Sequence, residues 1–210
     1  LYINGQWAPG HGPALTSIDP ATGQPVWQAA TAASDDVARA VAAARAAFQD
    51  WADQPREERI AVLRRYKAAL DARKDAFAEA LSRETGKALW ETKAELGSMM
   101  AKVDVSIAAY DERTGVRESA MPFGRAVLRH RAHGVIAVLG PFNFPGHLPN
   151  GHIVPALLAG DTIVFKPSEE TPMAGELLVE ALEAAGLPPG VVNLVQGGRE
   201  TGAALIEQEI

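Results

Sequence analysis

The chain has 210 residues, of which 47% are hydrophobic and 22% charged, so it can bury a core of ordinary size. A formal net charge of −6 argues against nucleic acid or an anionic membrane as a partner. The absence of cysteine excludes disulfides, thiolate–metal sites and a cysteine nucleophile within these residues, and it fits a reducing, cytoplasmic location. No metal site, membrane span or signal peptide is predicted.

The N-terminal half combines short strands with amphipathic helices. Residues 1 to about 30 form strand-like pieces broken by the turn dipeptides Asn4-Gly5 and Asp19-Pro20. Helical patterns follow, and one of them breaks at Gly86 before a long helix that runs to about Tyr110. Such apolar stripes are typical of helices that pack on a core, so these helices are predicted to be scaffold.

The segment RAVLRHRA, from residue 125, alternates weakly between apolar and polar residues. It carries Arg125, Arg129 and Arg131, and charged residues of this kind are common on exposed strands. The pattern predicts an edge strand.

Three apolar runs follow, VIAVL (135–139), TIVFK (162–166) and VVNLV (191–195), with helical patterns between them. This alternation predicts an α/β fold in which a parallel sheet has helices on both faces and right-handed crossovers. The second connecting helix is predicted to have Thr171 as its N-cap and Pro172 in its first turn.

Unusual residues follow each of the three predicted strands. In an open parallel sheet, ligands bind outside the carboxyl ends of the strands, where the segments at 140–143, 166–169 and 196–198 would meet. Glycines allow a ligand close to the backbone, and a carboxylate at Glu169 could accept ribose hydroxyls and repel a 2′-phosphate, which favours NAD over NADP. A simple turn and a solvated Lys166–Glu169 ion pair remain the alternatives, and the chain has no GxGxxG motif.

Asn143 is the residue that most suggests catalysis. It lies between Phe142 and Phe144, with Pro141 and Pro145 beyond them. A rigidly held amide is suited to an oxyanion hole, because the donor does not have to reorganise during the reaction. The alternative is that Asn143 caps a helix or turns the chain.

The combined motifs resemble the aldehyde dehydrogenase superfamily. GPFNFPGHLPNGHIVPALLAGDTIVFKPSEETP carries the Pro-aromatic-Asn-Phe-Pro and Lys-Pro-Ser-Glu elements at the family's separation, and SRETGK and LPPGVVNLV are also similar. The resemblance covers essentially all 210 residues. NFPGHLPNGHIVPALLAG and VQGGRETG are most similar to members that act in arginine breakdown.

The resemblance implies NAD(P)-dependent oxidation of an aldehyde to an acid, through a cysteine nucleophile and a glutamate that activates water. It implies Asn143 as the side-chain oxyanion donor. Cofactor contacts are implied for Leu139, Gly140, Pro141, Phe142, Lys166, Ser168, Glu169, Gly198 and Gly202. The substrate tunnel would be walled by His147, Leu148 and Gly151, and a wide polar tunnel suits a semialdehyde that bears carboxylates.

The resemblance also has implications for organisation and assembly. Residues 1–210 would form an incomplete, Rossmann-like NAD-binding domain, with 124–133 belonging to an arm that bridges subunits of a homo-oligomer. The catalytic domain would lie downstream, so this chain alone is expected to be inactive, with an exposed parallel edge at its third strand. The chain begins at Leu1 and ends in mid-pattern, so it is expected to be part of a longer protein. A non-catalytic nucleotide-binding or assembly module, or a related semialdehyde or acyl reductase, remains an alternative.

Overall fold

A computed structural model describes all 210 residues of the chain, which form an α/β fold. Its helices are α1 (Ser34–Ala52), α2 (Arg56–Ala72), α3 (Lys74–Thr85), α4 (Leu89–Arg113), α5 (His147–Ala159), α6 (Pro172–Ala184) and α7 (Arg199–Ile206). Its strands are β1 (Tyr2–Ile3), β2 (Gln6–Trp7), β3 (Ala14–Ile18), β4 (Pro25–Ala30), β5 (Arg117–Met121), β6 (Gly124–Leu128), β7 (Val135–Leu139), β8 (Thr162–Lys166) and β9 (Val192–Leu194). No helix has both the length and the apolarity needed to cross a bilayer.

The central sheet has five strands in the order β2-β1-β9-β8-β7. Strands β7, β8 and β9 run parallel, whereas β1 is antiparallel to both of its neighbours. Side chains of β8 alternate between the two faces of the sheet: Ile163 and Phe165 belong to the larger core, and Val164 to the smaller one. Residues of α2 to α6 contribute to the larger core, whereas α1 and α7 cover the other face. The predicted parallel strands with helices on both faces are therefore present.

The expectation of an exposed edge at the third apolar strand is wrong. Strand β1 pairs antiparallel with β9, Tyr2 lying opposite Leu194, and the backbone N–H of Asn4 donates to Asn193 Oδ1 at 2.9 Å. The two edges of the sheet are β2 and β7, and β7 is the parallel strand that lies at an edge. A pairing formed by a two-residue strand leaves no periodic signal in the sequence, so the hydrophobic pattern could not reveal it.

The segment predicted as an edge strand is also placed differently. Strand β6 covers only residues 124–128 and pairs with β5, forming a separate hairpin in which every strand residue is exposed. Residues 129–133 are not a strand. The weak alternation indicated a strand correctly, but the partner of β6 is the segment just before it in sequence rather than the central sheet.

The predicted break at Gly86 is confirmed, since this residue ends α3 in the left-handed conformation with φ +74°. The predicted side-chain cap at Thr171 is not. Thr171 occupies the N-cap position of α6, but its hydroxyl makes no hydrogen bond. Glu84, at the end of α3, supplies the acceptors instead: its carboxylate oxygens accept the backbone N–H groups of Met173 and Ala174, each at 2.8 Å.

The carboxyl group of Glu84 is buried, and this has an energetic consequence. The pKa of Glu84 is raised to about 7, chiefly by burial and to a smaller extent by the negative charge of Glu176, while the two backbone N–H groups act in the opposite direction. A folded-state pKa above the ordinary value means that the folded protein binds the proton more tightly than the unfolded chain. Ionisation of Glu84 therefore lowers stability as the pH rises from about 4.5 to about 7.

We expect the stability of the wild-type protein, relative to a Glu84→Gln variant, to fall as the pH rises through this window. At about 1.4 kcal/mol per pKa unit the difference reaches on the order of 3 kcal/mol and then levels off. Denaturant unfolding at several pH values measures it, with Glu79→Gln, an exposed carboxylate on the same helix, as the control. Parallel pH profiles for wild type and Glu84→Gln would contradict this expectation.

Candidate functional site

The carboxyl ends of β7, β8 and β9 meet at one edge of the sheet. Leu139 lies opposite Lys166 in the register, and the backbone N–H of Gly140 donates to the Lys166 carbonyl at 2.8 Å. A Cβ added at Gly140 would lie 3.0 Å from both Phe165 and Pro149, so a larger residue there would push against the sheet and α5. The segments that follow the three strands therefore lie side by side, as the sequence predicts.

Lys166 joins two of these segments. Its ammonium group donates to the carbonyls of Pro167 and Gly197, each at 2.7 Å, and lies 3.6 Å from the carboxylate of Glu169. The residue is buried, and burial lowers the pKa of Lys166, while the negative charge of Glu169 opposes that change. Most of the donor capacity of Lys166 is thus used to hold the ends of β8 and β9 together.

Glu169 and the glycines form an open cradle beside Lys166. The carboxylate of Glu169 is about half exposed, and a Cβ at Gly198 would lie 3.8 Å from its Oε1. A Cβ at Gly202 would lie 3.6 Å from Lys166 Cε, so α7 begins close to the lysine stem. Ser168 instead turns the loop, because its hydroxyl accepts the backbone N–H of Glu170 at 3.2 Å. A half-exposed carboxylate beside bare backbone can accept hydrogen bonds from the hydroxyls of a ribose.

Asn143 lies on the exposed side of this edge, in the loop between β7 and α5. Its side chain is exposed and makes no hydrogen bond in the chain, so it neither caps a helix nor closes a turn. The flanking rings of Phe142 and Phe144 are also exposed, being 62% and 45% accessible. The rigidity expected of this amide does not come from burial of its neighbours. Its donors point to no partner within the protein and are available to a ligand.

Three residues predicted to line the substrate tunnel lie in the first turns of α5. Leu148 is partly exposed, and the Nδ1 atom of His147 is buried without a hydrogen-bond partner. Gly151 faces α4, where a Cβ would lie 3.7 Å from Lys102 Cε and 4.0 Å from Lys102 Nζ. A groove of about 330 Å³ between α4 and α5 contains Gly151, Lys102 and Arg113, and neither of these basic side chains forms an ion pair.

Glu95, which lies on α4 beneath this loop, is a site residue that was not predicted from the sequence. Its side chain is buried, and Oε1 accepts the backbone N–H groups of Gly146 and His147, each at 3.0 Å. Lys87 donates to its Oε2 at 3.0 Å. A signal was present, because Glu95 shares the apolar face of α4 with Met99 and other core residues. A carboxylate at a core position indicates a buried acceptor.

Comparison with known proteins adds independent findings. The model of the aldehyde dehydrogenase family matches residues 7–210. N-succinylglutamate 5-semialdehyde dehydrogenase 2 of Caulobacter vibrioides is 77% identical over all 210 residues, and the N-succinylglutamate 5-semialdehyde dehydrogenase of Paraburkholderia xenovorans is 58% identical over 205. The chain spans 43% and 42% of the lengths of these two relatives.

Solved structures of aldehyde dehydrogenases share the fold. An aldehyde dehydrogenase C mutant from Pseudomonas syringae, in complex with NAD+ and octanal, is 34% identical with a TM-score of 0.87, and the match covers 97% of this chain and 42% of that one. An NADP-dependent enzyme of E. coli is 29% identical with a TM-score of 0.91, over 97% and 43% of the two chains. These neighbours include both an NAD complex and an NADP-dependent enzyme, so they do not distinguish the two cofactors.

The family match covers nearly the whole chain, and the fold agrees with solved members over the same region. The motifs at the sheet edge are the ones on which the sequence resemblance rests. This chain belongs to the aldehyde dehydrogenase family.

Proposed function

We propose that this chain is the cofactor-binding part of an enzyme that uses NAD to oxidise N-succinylglutamate 5-semialdehyde to N-succinylglutamate in arginine breakdown. The names of relatives that are 58–77% identical support the substrate. The main support from the structure is that Asn143, Glu169 and Gly198 follow adjacent strands and lie at one sheet edge.

In this proposal residues 1–210 form part of a Rossmann-like NAD-binding domain. The nucleophilic cysteine and the general-base glutamate belong to the region of the relatives that this chain does not match, so the chain alone is inactive.

The exposed β5–β6 hairpin, within residues 117–128, is part of an arm that contacts a second copy. Its exposed Phe123, Met121 and Leu128 support that role. A full-length protein that sediments as a monomer would contradict the assignment of the arm.

The cradle beside Lys166 fits the adenosine end of NAD. The half-exposed carboxylate of Glu169 accepts hydrogen bonds from the ribose hydroxyls and repels a 2′-phosphate, which favours NAD over NADP. Gly198 leaves the backbone open beside that carboxylate, and Gly202 keeps α7 close to Lys166. Residues from Leu139 to Phe142 continue along the cofactor from the end of β7. When bound, NAD supplies the oxidising capacity of the reaction.

Asn143 donates a hydrogen bond to the aldehyde oxygen, where negative charge develops as the carbonyl is attacked. The free side-chain amide and its place at the sheet edge support this role. A donor that is already in place stabilises the developing charge without reorganising, and loss of one such donor costs about 10²- to 10³-fold in kcat.

The groove between α4 and α5 recognises the carboxylates of the substrate. Gly151 leaves its space open, and Lys102 runs beside it with its ammonium group unpaired. Arg113 adds a second cation to the same groove. A substrate that carries carboxylates at a distance from its aldehyde matches these charges, whereas an uncharged aldehyde gains nothing from them.

The oxyanion role predicts that Asn143→Ala lowers kcat of the full-length enzyme by about 10²-fold or more, because the charge on the aldehyde oxygen loses a donor. The melting temperature should stay within about 2 °C of wild type, since an exposed side chain without hydrogen bonds contributes little to stability. Gln28→Ala, which removes an exposed amide far from the sheet edge, is the control. A kcat within threefold of wild type would contradict the oxyanion role of Asn143.

The substrate assignment predicts that Lys102→Met raises KM for N-succinylglutamate 5-semialdehyde by about tenfold, because a charged hydrogen bond is worth about 1.5–3 kcal/mol. KM for hexanal should not change. Lys93→Met, on the same helix but paired with Asp75 at 3.0 Å, is the matched control. A wild-type enzyme that oxidises hexanal but leaves the semialdehyde untouched would show the assignment to be wrong.

A further inference from the structure

The segment that ends α3 contacts the helices behind both halves of the proposed site. This segment, which we name the SRETGK turn, comprises residues 82–87: the last turn of α3 and the first two residues of the link to α4. It is closed internally by the Ser82 hydroxyl, which donates to the Lys87 carbonyl at 2.7 Å, and by the Lys87 N–H, which donates to Thr85 Oγ1 at 3.3 Å. At Gly86 the left-handed backbone and a Pro20 Cγ only 2.9 Å from where a Cβ would lie both favour glycine.

One end of the turn holds the helix behind the cofactor loop. The carboxylate of Glu84 accepts the N–H groups of Met173 and Ala174, in the first turn of α6. The first turn of α6 directly follows the loop that contains Ser168 and Glu169. An anion at a helix N-terminus is also stabilised by the helix dipole. The start of α6 is therefore fixed by a residue from a different part of the chain.

The other end of the turn holds the helix behind Asn143. Lys87 donates to Glu95, and Glu95 accepts the N–H groups of Gly146 and His147, at the start of α5. The ammonium group of Lys87 also lies 3.7 Å from the centroid of the Phe144 ring, a cation–π contact. Phe144 follows Asn143 directly. The part of the loop that follows the exposed amide is thus held from beneath, at Phe144 and at the start of α5.

A close packing contact adds to this restraint. A Cβ at Gly146 would lie 2.6 Å from the sulfur of Met99 and 3.3 Å from Glu95 Oε1, so a larger residue here would displace Met99 and press on Glu95. These contacts do not bury the side chain of Asn143. They restrain the backbone next to it, so the exposed amide can keep one position.

We propose that the SRETGK turn is a positioning device that sets Asn143 relative to the cofactor loop. Glu95 and Lys87 position the oxyanion donor, and Glu84 positions the loop of Ser168 and Glu169. None of the three touches substrate or cofactor. The inference rests on the proposed function, because it assigns a purpose to the placement of Asn143.

The test uses the full-length enzyme with Glu95→Met, Glu95→Gln and Glu84→Met. Glu95→Met removes the acceptor for two N–H groups, and we expect kcat to fall at least tenfold while the Kd for NAD stays within twofold, since small displacements of reacting groups cost rate. Glu95→Gln keeps a carbonyl acceptor and should retain kcat within threefold of wild type. Glu84→Met should show the opposite division, with the Kd for NAD raised at least fivefold and kcat changed less.

Two controls separate positioning from general stability. Lys93→Met, on the exposed side of α4, should leave kcat and the Kd for NAD unchanged. If Glu95 and Glu84 had a purely structural role, both variants would lose melting temperature and active fraction. Glu95→Met would then not act mainly on kcat, nor Glu84→Met mainly on the Kd for NAD. If Glu95→Met does not fold, Lys87→Met tests the same contact from a residue whose side chain is 21% exposed, and it should lower kcat by about threefold or more.

The outcomes distinguish this inference from the proposed function. If Asn143→Ala loses its activity but Glu95→Met, or Lys87→Met in its place, keeps kcat within twofold, the positioning device is refuted and the oxyanion role stands. If Asn143→Ala itself keeps its activity, the oxyanion role fails, whatever the Glu95 variants do, and the positioning device fails with it. If the wild-type enzyme leaves N-succinylglutamate 5-semialdehyde untouched, the proposed function fails on its own evidence.

Discussion

The parallel register of β7, β8 and β9 is the constraint on which the rest of the molecule depends. Because Leu139 lies opposite Lys166, and Phe165 opposite Leu194, the three strands end at the same level, and the chain must leave the sheet three times at one edge. Each exit is followed by a helix that returns across a face, which buries the apolar strands on both sides. The loops of the proposed site are the short segments that remain between strand end and helix start.

Buried carboxylates restrain the ends of these helices. No helix in the chain has an N-cap side-chain hydrogen bond. At α1, α5 and α6 a buried carboxylate accepts backbone N–H groups instead, from the first turn at α1 and from another helix at α5 and α6. At Asp36 the charged form is stabilised. Burial alone would raise its pKa, but hydrogen bonds from His11, Ala33 and Arg39 hold the pKa well below its ordinary value. Glu84 has no cationic partner, so burial dominates and raises its pKa. Glu84 thus lowers stability when ionised, while it fixes the start of α6 beside the cofactor loop.

The sequence predicted what depends on long patterns. Three apolar runs with helices between them are enough to specify parallel strands, and the ends of parallel strands must meet, so the neighbourhood of Asn143, Lys166 and Glu169 followed without a structure. Features decided by contacts between distant residues were missed. The pairing of β1 with β9 depends on a strand of two residues, and the carboxylate at the start of α6 comes from a residue some 90 positions earlier in the chain. The local pattern predicted Thr171 as the residue that caps α6, whereas in the structure Glu84, from a distant part of the chain, accepts the N–H groups there.

The central claim is that the cradle beside Lys166 holds the ribose of NAD through Glu169. The most direct measurement is calorimetric titration of the full-length protein and its Glu169→Gln variant with NAD and with NADP. We expect wild type to bind NAD at least tenfold more tightly than NADP. Glu169→Gln should bring the two dissociation constants closer by strengthening NADP binding, because the repulsion of the 2′-phosphate is removed. Equal or tighter binding of NADP by wild type, or an unchanged ratio in the variant, would contradict the central claim.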